Sequence, residues 1–291
     1  MMKIHVLQTG QVNISESLAF RDEEVNPSLP KLTVLSSYGR KNRKWFPVSA
    51  YLIEYDDYLI LYDTGWHRDI SPNGKYEKLS QIRHQTLKDY LTNQGLVPEG
   101  QAINEQLESL NIKTSDLDYV VLSHLDVDHA SGLKHVGDAK KIMVSRDELD
   151  FANKNKIRYV GNMWKGVDLD TFEFEDRPHG TEEEIFENSP VGRVYDLFGD
   201  GKFQLINIPG HTPGLVALKI INTYTGKYVL LFSDGGYAEK SWREMILPGI
   251  ADNLDQAIES LKWIRQTSLN ENCIESLANH DPDIKPHIIE L

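Results

Sequence analysis

Short apolar runs alternate along the chain with segments of helical periodicity, and this alternation predicts most of the fold. Strands are expected where β-branched, aromatic and other apolar residues follow one another in runs of about four to eight. Such runs occupy residues 3–7, 48–55, 58–62, 117–122, 141–144, 203–208, 215–221 and 227–232. Asp56 and Asp57 alone separate the second run from the third, which predicts a tight hairpin.

Helices are predicted where apolar residues recur at helical spacing. These segments are residues 84–94, 103–110, 147–153 and 252–266. The last segment has one apolar stripe, formed by Leu254, Ile258, Leu261 and Ile264. Asp252 is its expected N-cap. Helices distributed among strands favour a layered α/β fold.

The domain organisation is predicted to be simple. No linker, low-complexity tract or short repeat divides residues 1–291, so we expect a single domain with a sizeable core. Residues 155–200 are the least regular part, with Gly, Pro, aromatic and acidic residues interleaved. Because irregular segments of this length are usually functional, a lid or an insertion is predicted at 155–200.

The charge balance narrows the choice of partners. The chain has 31 Lys and Arg against 44 Asp and Glu, a formal net charge of −13 with neutral histidines. Such a surface repels phosphate backbones and anionic lipids, so we expect a small-molecule substrate rather than nucleic acid or a membrane. The single cysteine, Cys273, excludes an internal disulfide framework. No apolar run has the length of a signal peptide or a bilayer span, which predicts a cytoplasmic location.

The strongest chemical signal is the segment from Ser123 to Gly132, which follows an apolar strand directly. Its sequence is Ser-His-Leu-Asp-Val-Asp-His-Ala-Ser-Gly, and its potential metal ligands are His124, Asp126, Asp128 and His129. A strand end fixes the direction of alternate side chains, and the following loop can turn further ligands inward. Imidazole suits zinc, iron or manganese, and carboxylates can bridge two ions. The alternative is a polar turn that holds no metal.

Three later segments carry one further candidate ligand each. His211 lies in the turn Pro-Gly-His-Thr-Pro-Gly between two strands, and its prolines and glycines can aim a side chain. Asp234 follows an apolar strand, and His280 follows the apolar-leaning residues 274–278. Each segment is ordinary alone, because a turn histidine is often merely exposed and an aspartate can cap a helix. They become significant as candidate ligands because they follow the first motif together and in this order.

In this order the motifs resemble the signature of the metallo-β-lactamase superfamily, H-x-H-x-D-H followed by a His, an Asp and a His. The resemblance runs from Leu7 to near the C-terminus, with residues 155–200 poorly covered. Within the superfamily the chain is most similar to the N-acyl-homoserine lactonases, because Tyr237 lies three residues after Asp234. Asp63 begins a segment that resembles the family's D-T-G. The resemblance implies a four-layer αβ/βα sandwich.

The resemblance also implies two divalent metal ions that share one ligand. The implied ligands are His124, Asp126 and His211 for the first ion, Asp128, His129 and His280 for the second, and Asp234 as a bridge between them. One departure from the family pattern stands out, since Asp126 occupies the place of the second histidine. Zinc is the expected metal, and manganese or iron are the alternatives because a carboxylate is a harder donor than imidazole.

The remaining roles implied by the resemblance concern orientation and catalysis. Asp63 would orient ligand imidazoles, and loss of such a residue weakens metal sites. Tyr237 would contact the ester group of the substrate, and Asp128 would also return a proton to the leaving group. Two ions about 3.5–4 Å apart can share a water and lower its pKa to about 7, so the expected step is attack of a bridging hydroxide on a carbonyl.

The function predicted from these features is a metal-dependent hydrolase that opens a lactone or a similar carboxylic ester. The alternatives within the superfamily are a thioesterase and a phosphodiesterase. The alternative from another class is a non-catalytic metal-binding sensor, in which Asp126 marks a weakened site. Metal content and a screen of lactones, thioesters and phosphodiesters separate these hypotheses.

Overall fold

Two β-sheets form the centre of the computed structural model, which describes residues 2–21, 42–85, 87–156, 158–161, 163–176 and 189–291. The strands of the first sheet are β1 (Met2–Ser15), β2 (Arg43–Tyr55), β3 (Tyr58–Tyr62), β4 (Gln94–Leu96), β5 (Tyr119–Val121), β6 (Ile142–Ser145), β7 (Asp170–Phe172) and β14 (His287–Glu290). Their order is β14-β1-β2-β3-β5-β6-β7, and β4 pairs with β1. The neighbouring strands β3, β5, β6 and β7 run parallel, so their carboxyl ends lie at one edge of the sheet.

The second sheet faces the first. Its strands are β8 (Glu175–Asp176), β9 (Arg193–Asp196), β10 (Phe203–Asn207), β11 (Val216–Ile221), β12 (Tyr228–Leu231) and β13 (Cys273–Leu277). Their order is β13-β12-β11-β10-β9-β8, and only the β12–β13 pair of this path is parallel. An apolar core lies between the sheets, where Ile4 and Tyr62 of the first meet Leu205 and Leu218 of the second.

Helices cover the outer face of each sheet. They are α1 (Glu16–Ala19), α2 (Lys78–His84), α3 (Leu87–Thr92), α4 (Ile103–Ser109), α5 (Val127–Ala130), α6 (Arg146–Lys154), α7 (Glu239–Glu244) and α8 (Leu254–Leu269). Ile103 and Leu107 of α4 belong to a core on the outer face of the first sheet. Leu261 of α8 packs with Ile206 and Leu230 on the outer face of the second. The layers are therefore helix, sheet, sheet and helix, as predicted.

The long strand β1 serves both cores because its alternation changes halfway. Ile4 and Val6 point into the core between the sheets, whereas Val12 and Ile14 point into the outer core. All four are even-numbered, so a regular strand would place them on one face. The pairing of β1 with β2 shifts register between Gln8 and Gln11, and this bulge exchanges the two faces.

Two details of the helix predictions were wrong. The segment 84–94 is not one helix, because α2 ends at His84, α3 begins at Leu87, and residues 94–96 form β4. The N-cap of α8 is Asn253 rather than Asp252, since the Asn253 side chain accepts the backbone N–H of Gln256 at 3.1 Å. An asparagine caps a helix as well as an aspartate does. The residue types at 252 and 253 therefore do not distinguish the two positions.

The irregular segment 155–200 contributes to both sheets. Its strand β7 extends the edge of the first sheet, and β8 and β9 form the edge of the second. Residues 177–188, which include His179, lie outside the described residues. A lid function for this segment stays a prediction. Among the described helices, none is both long and apolar enough to span a membrane.

Candidate metal centre

The candidate ligands predicted from the sequence meet at one end of the sandwich. Asp63 follows β3, His124 follows β5, His211 lies between β10 and β11, Asp234 follows β12 and His280 follows β13, whereas Asp128 and His129 belong to α5. Because β3 and β5 are parallel neighbours, Asp63 and His124 lie at the same edge of the first sheet, and Asp234 and His280 share an edge of the second because β12 and β13 are also parallel. We call the group His124, Asp126 and His211 site 1, and the group Asp128, His129 and His280 site 2.

The ligand atoms of site 2 are separated by the distances that a small divalent cation requires. Nε2 of His129 lies 3.3 Å from Nε2 of His280, and each lies 3.2 Å from Oδ1 of Asp234. Oδ2 of Asp128 lies 3.5 Å from Nε2 of His280. Bonds of about 2.0–2.2 Å in a tetrahedral site place ligand atoms about 3.3–3.6 Å apart. One ion therefore fits among these four side chains.

Site 1 lies on the other side of Asp234. Oδ2 of Asp234 is 3.6 Å from Nε2 of His211 and 4.0 Å from Nε2 of His124. Oδ2 of Asp126 is 3.0 Å from Nε2 of His211 and 3.5 Å from Nε2 of His124. Asp126 thus lies beside the two histidines, as its position in the motif predicts. Asp234 presents one carboxylate oxygen to each site.

All four imidazoles point Nε2 into the centre because their Nδ1 atoms are held elsewhere. Nδ1–H of His129 donates to Asp63 at 2.9 Å, that of His280 to the Pro47 carbonyl at 2.9 Å, and that of His211 to the Ile250 carbonyl at 3.0 Å. Nδ1 of His124 lies 3.0 Å from the Ser123 hydroxyl. Such contacts fix the tautomer and leave the Nε2 lone pair for a metal.

The turn that carries His211 is held by close packing. Gly210 has a φ of +138°, and a Cβ there would lie 2.4 Å from the backbone of Ala257 in α8. Only glycine fits this position without movement of the helix. The glycine before His211, noted in the sequence as part of a rigid turn, therefore allows this turn to pack directly against α8.

Asp63 connects several parts of the centre. It is fully buried, and its carboxylate accepts the Ser123 backbone N–H and hydroxyl, each at 2.8 Å. The Asn279 amide donates to it at 2.8 Å, in addition to the His129 contact. Its φ is +61°, a conformation that aspartate and asparagine adopt more readily than most residues. Asp63 therefore holds His129 against the ends of β5 and β13.

The donor set calls for positive charge. Among the described residues, Nε2 of His124 and Oδ1 of Asp234 are buried without a hydrogen-bond partner. Burial alone lowers the pKa of His129, but the carboxylates of Asp234 and Asp63 outweigh it and raise that pKa well above its usual range. Burial alone raises the pKa of Asp234, but His280 and His129 hold it well below its usual range. Two divalent cations fit these unpaired donors.

Tyr237 lies over the centre. Its ring stacks on the imidazole of His280, with centroids 5.1 Å apart. Together with side chains of both sites it lines a cavity of about 30 Å³, which has room for one or two water molecules. Burial, followed by the charges of Asp234 and Asp128, raises the pKa of Tyr237 well above its usual range. Its hydroxyl therefore stays protonated at neutral pH and can donate a hydrogen bond.

Arg158 is the residue of the centre that the sequence analysis missed. Its guanidinium donates to both oxygens of Asp126, from Nε at 2.8 Å and from Nη2 at 2.7 Å. It also contacts the backbone carbonyl and Nε2 of His211, at 3.0 and 2.8 Å. The only available signal was the carboxylate of Asp126 in place of a neutral histidine, because a buried carboxylate requires a cation.

Other histidines lie away from the centre. His67 stacks on His135 and His84, with centroids 4.0 and 5.8 Å apart, and Asp69 lies beside this group. His67 and His135 accept backbone N–H groups through their ring nitrogens. Burial, followed by the neighbouring His67, lowers the pKa of His135 to about 4. These contacts hold the three histidines together apart from the candidate centre.

Comparison with known proteins identifies the family. The model of the metallo-beta-lactamase superfamily matches residues 43–246, and the chain therefore belongs to that superfamily. The matched range contains every candidate ligand except His280.

Curated relatives of the chain include N-acyl homoserine lactonases. AttM from Azorhizobium caulinodans is 30% identical over 181 residues, which are 62% of this chain and 64% of that protein. The match thus spans slightly less than two thirds of that relative. AttM from Rhizobium johnstonii is 27% identical over 239 residues, which are 81% of this chain and 82% of that protein.

Solved structures give the same fold. A B. thuringiensis AiiA mutant with N-decanoyl-L-homoserine bound at its active site matches with a TM-score of 0.71 and 21% identity, over 97% of this chain and 94% of that one. AidC, described as a dizinc quorum-quenching lactonase, matches with a TM-score of 0.61 and 16% identity, over 97% and 88% of the chains. The predicted metallo-β-lactamase fold is thereby confirmed.

Proposed function

We propose that the protein is a dinuclear-metal hydrolase that opens a lactone or a similar carboxylic ester. The observation that carries this proposal is the position of Asp234 between two pairs of imidazoles, with one carboxylate oxygen toward each pair. A shared carboxylate between two sets of nitrogen donors can hold two metal ions close together, as two-metal hydrolysis needs. The names of the relatives make N-acyl homoserine lactones the first substrates to test.

The ligands in this proposal follow the two sites. Site 1 would bind one ion and site 2 the other, with Asp234 common to both. Zinc is the metal we propose, because imidazole nitrogens dominate the donor set. Manganese or iron is the alternative if the carboxylate of Asp126 coordinates, since harder donors favour harder ions.

The bound ions and the side chains of the protein would supply different parts of the reaction. When bound, the ions supply Lewis acidity and a water-derived nucleophile at neutral pH. Tyr237 would donate its hydroxyl hydrogen to the carbonyl oxygen as negative charge develops there. Asp128 lines the same cavity and would carry a proton to the departing alkoxide. Asp63 would keep His129 oriented throughout.

The substitution Tyr237→Phe tests the hydroxyl alone. We expect both metal ions to remain, because Tyr237 is not among the candidate ligands. We expect kcat/KM to fall by about 10²-fold, the size of effect seen in other enzymes when one hydrogen-bond donor to the developing negative charge is removed. The measurement is lactone hydrolysis together with metal content. Tyr224→Phe is the control, since Tyr224 is 97% exposed and does not line the cavity over the centre. An unchanged rate in Tyr237→Phe would exclude the proposed contact.

A cavity of about 400 Å³ beside the centre supports a substrate with an apolar chain. Phe20, Trp45 and Phe46 form part of its wall. Ala238 and Asp281 also line it, and they are the neighbours in sequence of Tyr237 and His280. Charged side chains lie around the same cavity, so an amphiphilic molecule would find both kinds of contact. An acyl chain on a polar lactone has this character.

We expect Trp45→Ala to raise KM for N-decanoyl homoserine lactone by about 10-fold, because loss of a large aromatic contact costs about 1–2 kcal/mol of apolar burial. KM for a short-chain lactone should change little, since a short chain does not reach the wall. Trp164→Ala is the matched control, because Trp164 packs on the outer core rather than the cavity. Equal changes for both chain lengths would contradict an acyl-binding role.

The test of the proposed function is a screen of zinc-loaded protein against lactones, thioesters and phosphodiesters. We expect lactone opening, measured by proton release, to be the fastest reaction and to disappear after treatment with a chelator. Faster turnover of thioesters or phosphodiesters would favour the corresponding alternative. Less than one bound ion per chain, without turnover of any class, would favour a metal-binding sensor.

A further inference from the structure

Arg158 occupies a position that a metal ligand set would be expected to keep open. Its Nη2 lies 2.7 Å from Oδ2 of Asp126 and 2.8 Å from Nε2 of His211. These two atoms are 3.0 Å apart and form one edge of site 1. Among the described residues, Arg158 is the only lysine or arginine paired with a carboxylate of either site.

The contact of Arg158 with His211 indicates which ring nitrogen of His211 carries the hydrogen. An arginine side chain has donors and no acceptor, so in this contact Nη2 donates and Nε2 of His211 accepts, and the 3.0 Å approach of that Nε2 to Oδ2 of Asp126 then carries no hydrogen. This agrees with the other ring nitrogen, whose N–H donates to the Ile250 carbonyl at 3.0 Å. An imidazole nitrogen has a single lone pair in the ring plane. That lone pair cannot serve the guanidinium and a metal ion at the same time.

The arginine is held in place by buried neighbours. Tyr159, the next residue, is buried, and its hydroxyl donates to Oε1 of Glu148 at 3.0 Å. The same oxygen accepts the backbone N–H of Leu125, next to Asp126, at 2.9 Å. Glu148 thus joins the segment of Arg158 to the loop of Asp126. The ion pair between them is a built feature of the centre rather than a chance contact of a long side chain.

Site 2 has no such competitor in the part of the chain that the structure describes. Its imidazole nitrogens face each other and Asp234 at 3.2 to 3.3 Å, and the cationic partners of Asp128 are limited to His280. The two sites therefore differ although they share Asp234. A metal ion at site 2 enters among side chains that contact only one another, whereas at site 1 it must displace the guanidinium of Arg158.

We propose that Arg158 is an internal cation that competes with the metal ion of site 1, so that site 2 fills first and the second ion binds only as the guanidinium leaves Asp126 and His211. This inference rests on the proposed dinuclear centre and adds an order of filling to it. Arg158 is a positioning residue in this scheme, because it acts through Asp126 and His211.

The test is a calorimetric titration of chelator-treated full-length protein with Zn²⁺, checked by elemental analysis. For the wild type we expect one tight equivalent and a second that binds at least about 10-fold more weakly. Arg158→Gln should strengthen the second equivalent by about 10- to 100-fold, the range that neighbours of metal ligands usually control, and leave the first unchanged. Arg158→Lys keeps the charge without the paired contacts, so a smaller shift in the same direction is expected.

Two controls separate the possible outcomes. Arg193→Gln removes an arginine paired with Asp147 at 2.7 Å outside the centre and should change neither equivalent. All titrations are repeated with His84→Ala, because His67, Asp69 and His84 form another group able to hold an ion. Equal wild-type affinities, or a second equivalent that Arg158→Gln leaves unchanged or weakens, would overturn the role of Arg158. Absence of a tight equivalent that His280→Ala removes would instead overturn the proposed function.

Discussion

Replacing Asp234 with asparagine is expected to release both metal ions and to lower lactone hydrolysis by about 10³-fold or more, the upper range for loss of one charge-stabilising group. Oδ1 of Asp234 lies 3.2 Å from two imidazole nitrogens of site 2, and Oδ2 lies 3.6 and 4.0 Å from those of site 1. The amide offers one neutral oxygen in place of two charged ones. It would also turn an N–H₂ group toward one of the two sites.

The measurement is metal content by elemental analysis beside the rate of lactone opening. Asp200→Asn is the matched control, since it removes a carboxylate that pairs with Lys202 at the surface and should leave both readouts unchanged. Thermal unfolding monitors the fold of each variant. Wild-type metal content and turnover in Asp234→Asn would rule out a shared ligand at this position.

Asp63→Asn is expected to weaken metal binding by about 10- to 100-fold, although Asp63 is not a ligand of either ion. Substitution of residues that orient metal ligands usually lowers metal affinity by this amount. Four donors converge on the Asp63 carboxylate, from Ser123, Asn279 and His129. An amide must turn its own N–H₂ toward one of them. We therefore also expect the free energy of unfolding to fall by about 1–3 kcal/mol, the cost of an unsatisfied buried group.

The choice of asparagine isolates the charge from the backbone. Asp63 has a φ of +61°, and asparagine tolerates this conformation. Asp56→Asn is the matched control, because Asp56 is exposed in the β2–β3 hairpin with a similar φ of +50°. Zinc affinity and urea unfolding are compared in both variants. An Asp63→Asn protein with unaltered zinc affinity would show that orientation of His129 does not depend on this carboxylate.

The order of elements and the convergence of the candidate ligands could be predicted because both depend on local patterns. Apolar runs end at the residues that enter the centre, as where the strand over 117–122 leads into His124. Parallel strands then bring distant ends together, so a linear list of ligands becomes one centre. The bulge in β1 has no comparable local signal, since it depends on which residues pair across the sheet.

Arg158 could not be predicted for a related reason. It lies 32 positions after Asp126 in a segment without periodicity, and its approach depends on the contacts of Glu148 with Leu125 and Tyr159. The role of Asn279 could not be predicted either. It precedes His280, but its contact with Asp63 across 216 positions emerges only from the packing of β13 against the first sheet.

The measurement that tests the central claim most directly is anomalous diffraction at the zinc edge from crystals of the zinc-loaded protein. We expect two peaks on either side of the Asp234 carboxylate, one among Asp128, His129 and His280 and the other between His124 and His211. The second peak should be weaker at limiting zinc, since Arg158 competes there. Absence of anomalous density next to Asp234, with zinc found only at His67, Asp69 and His84, would contradict the dinuclear centre and the hydrolase proposed from it.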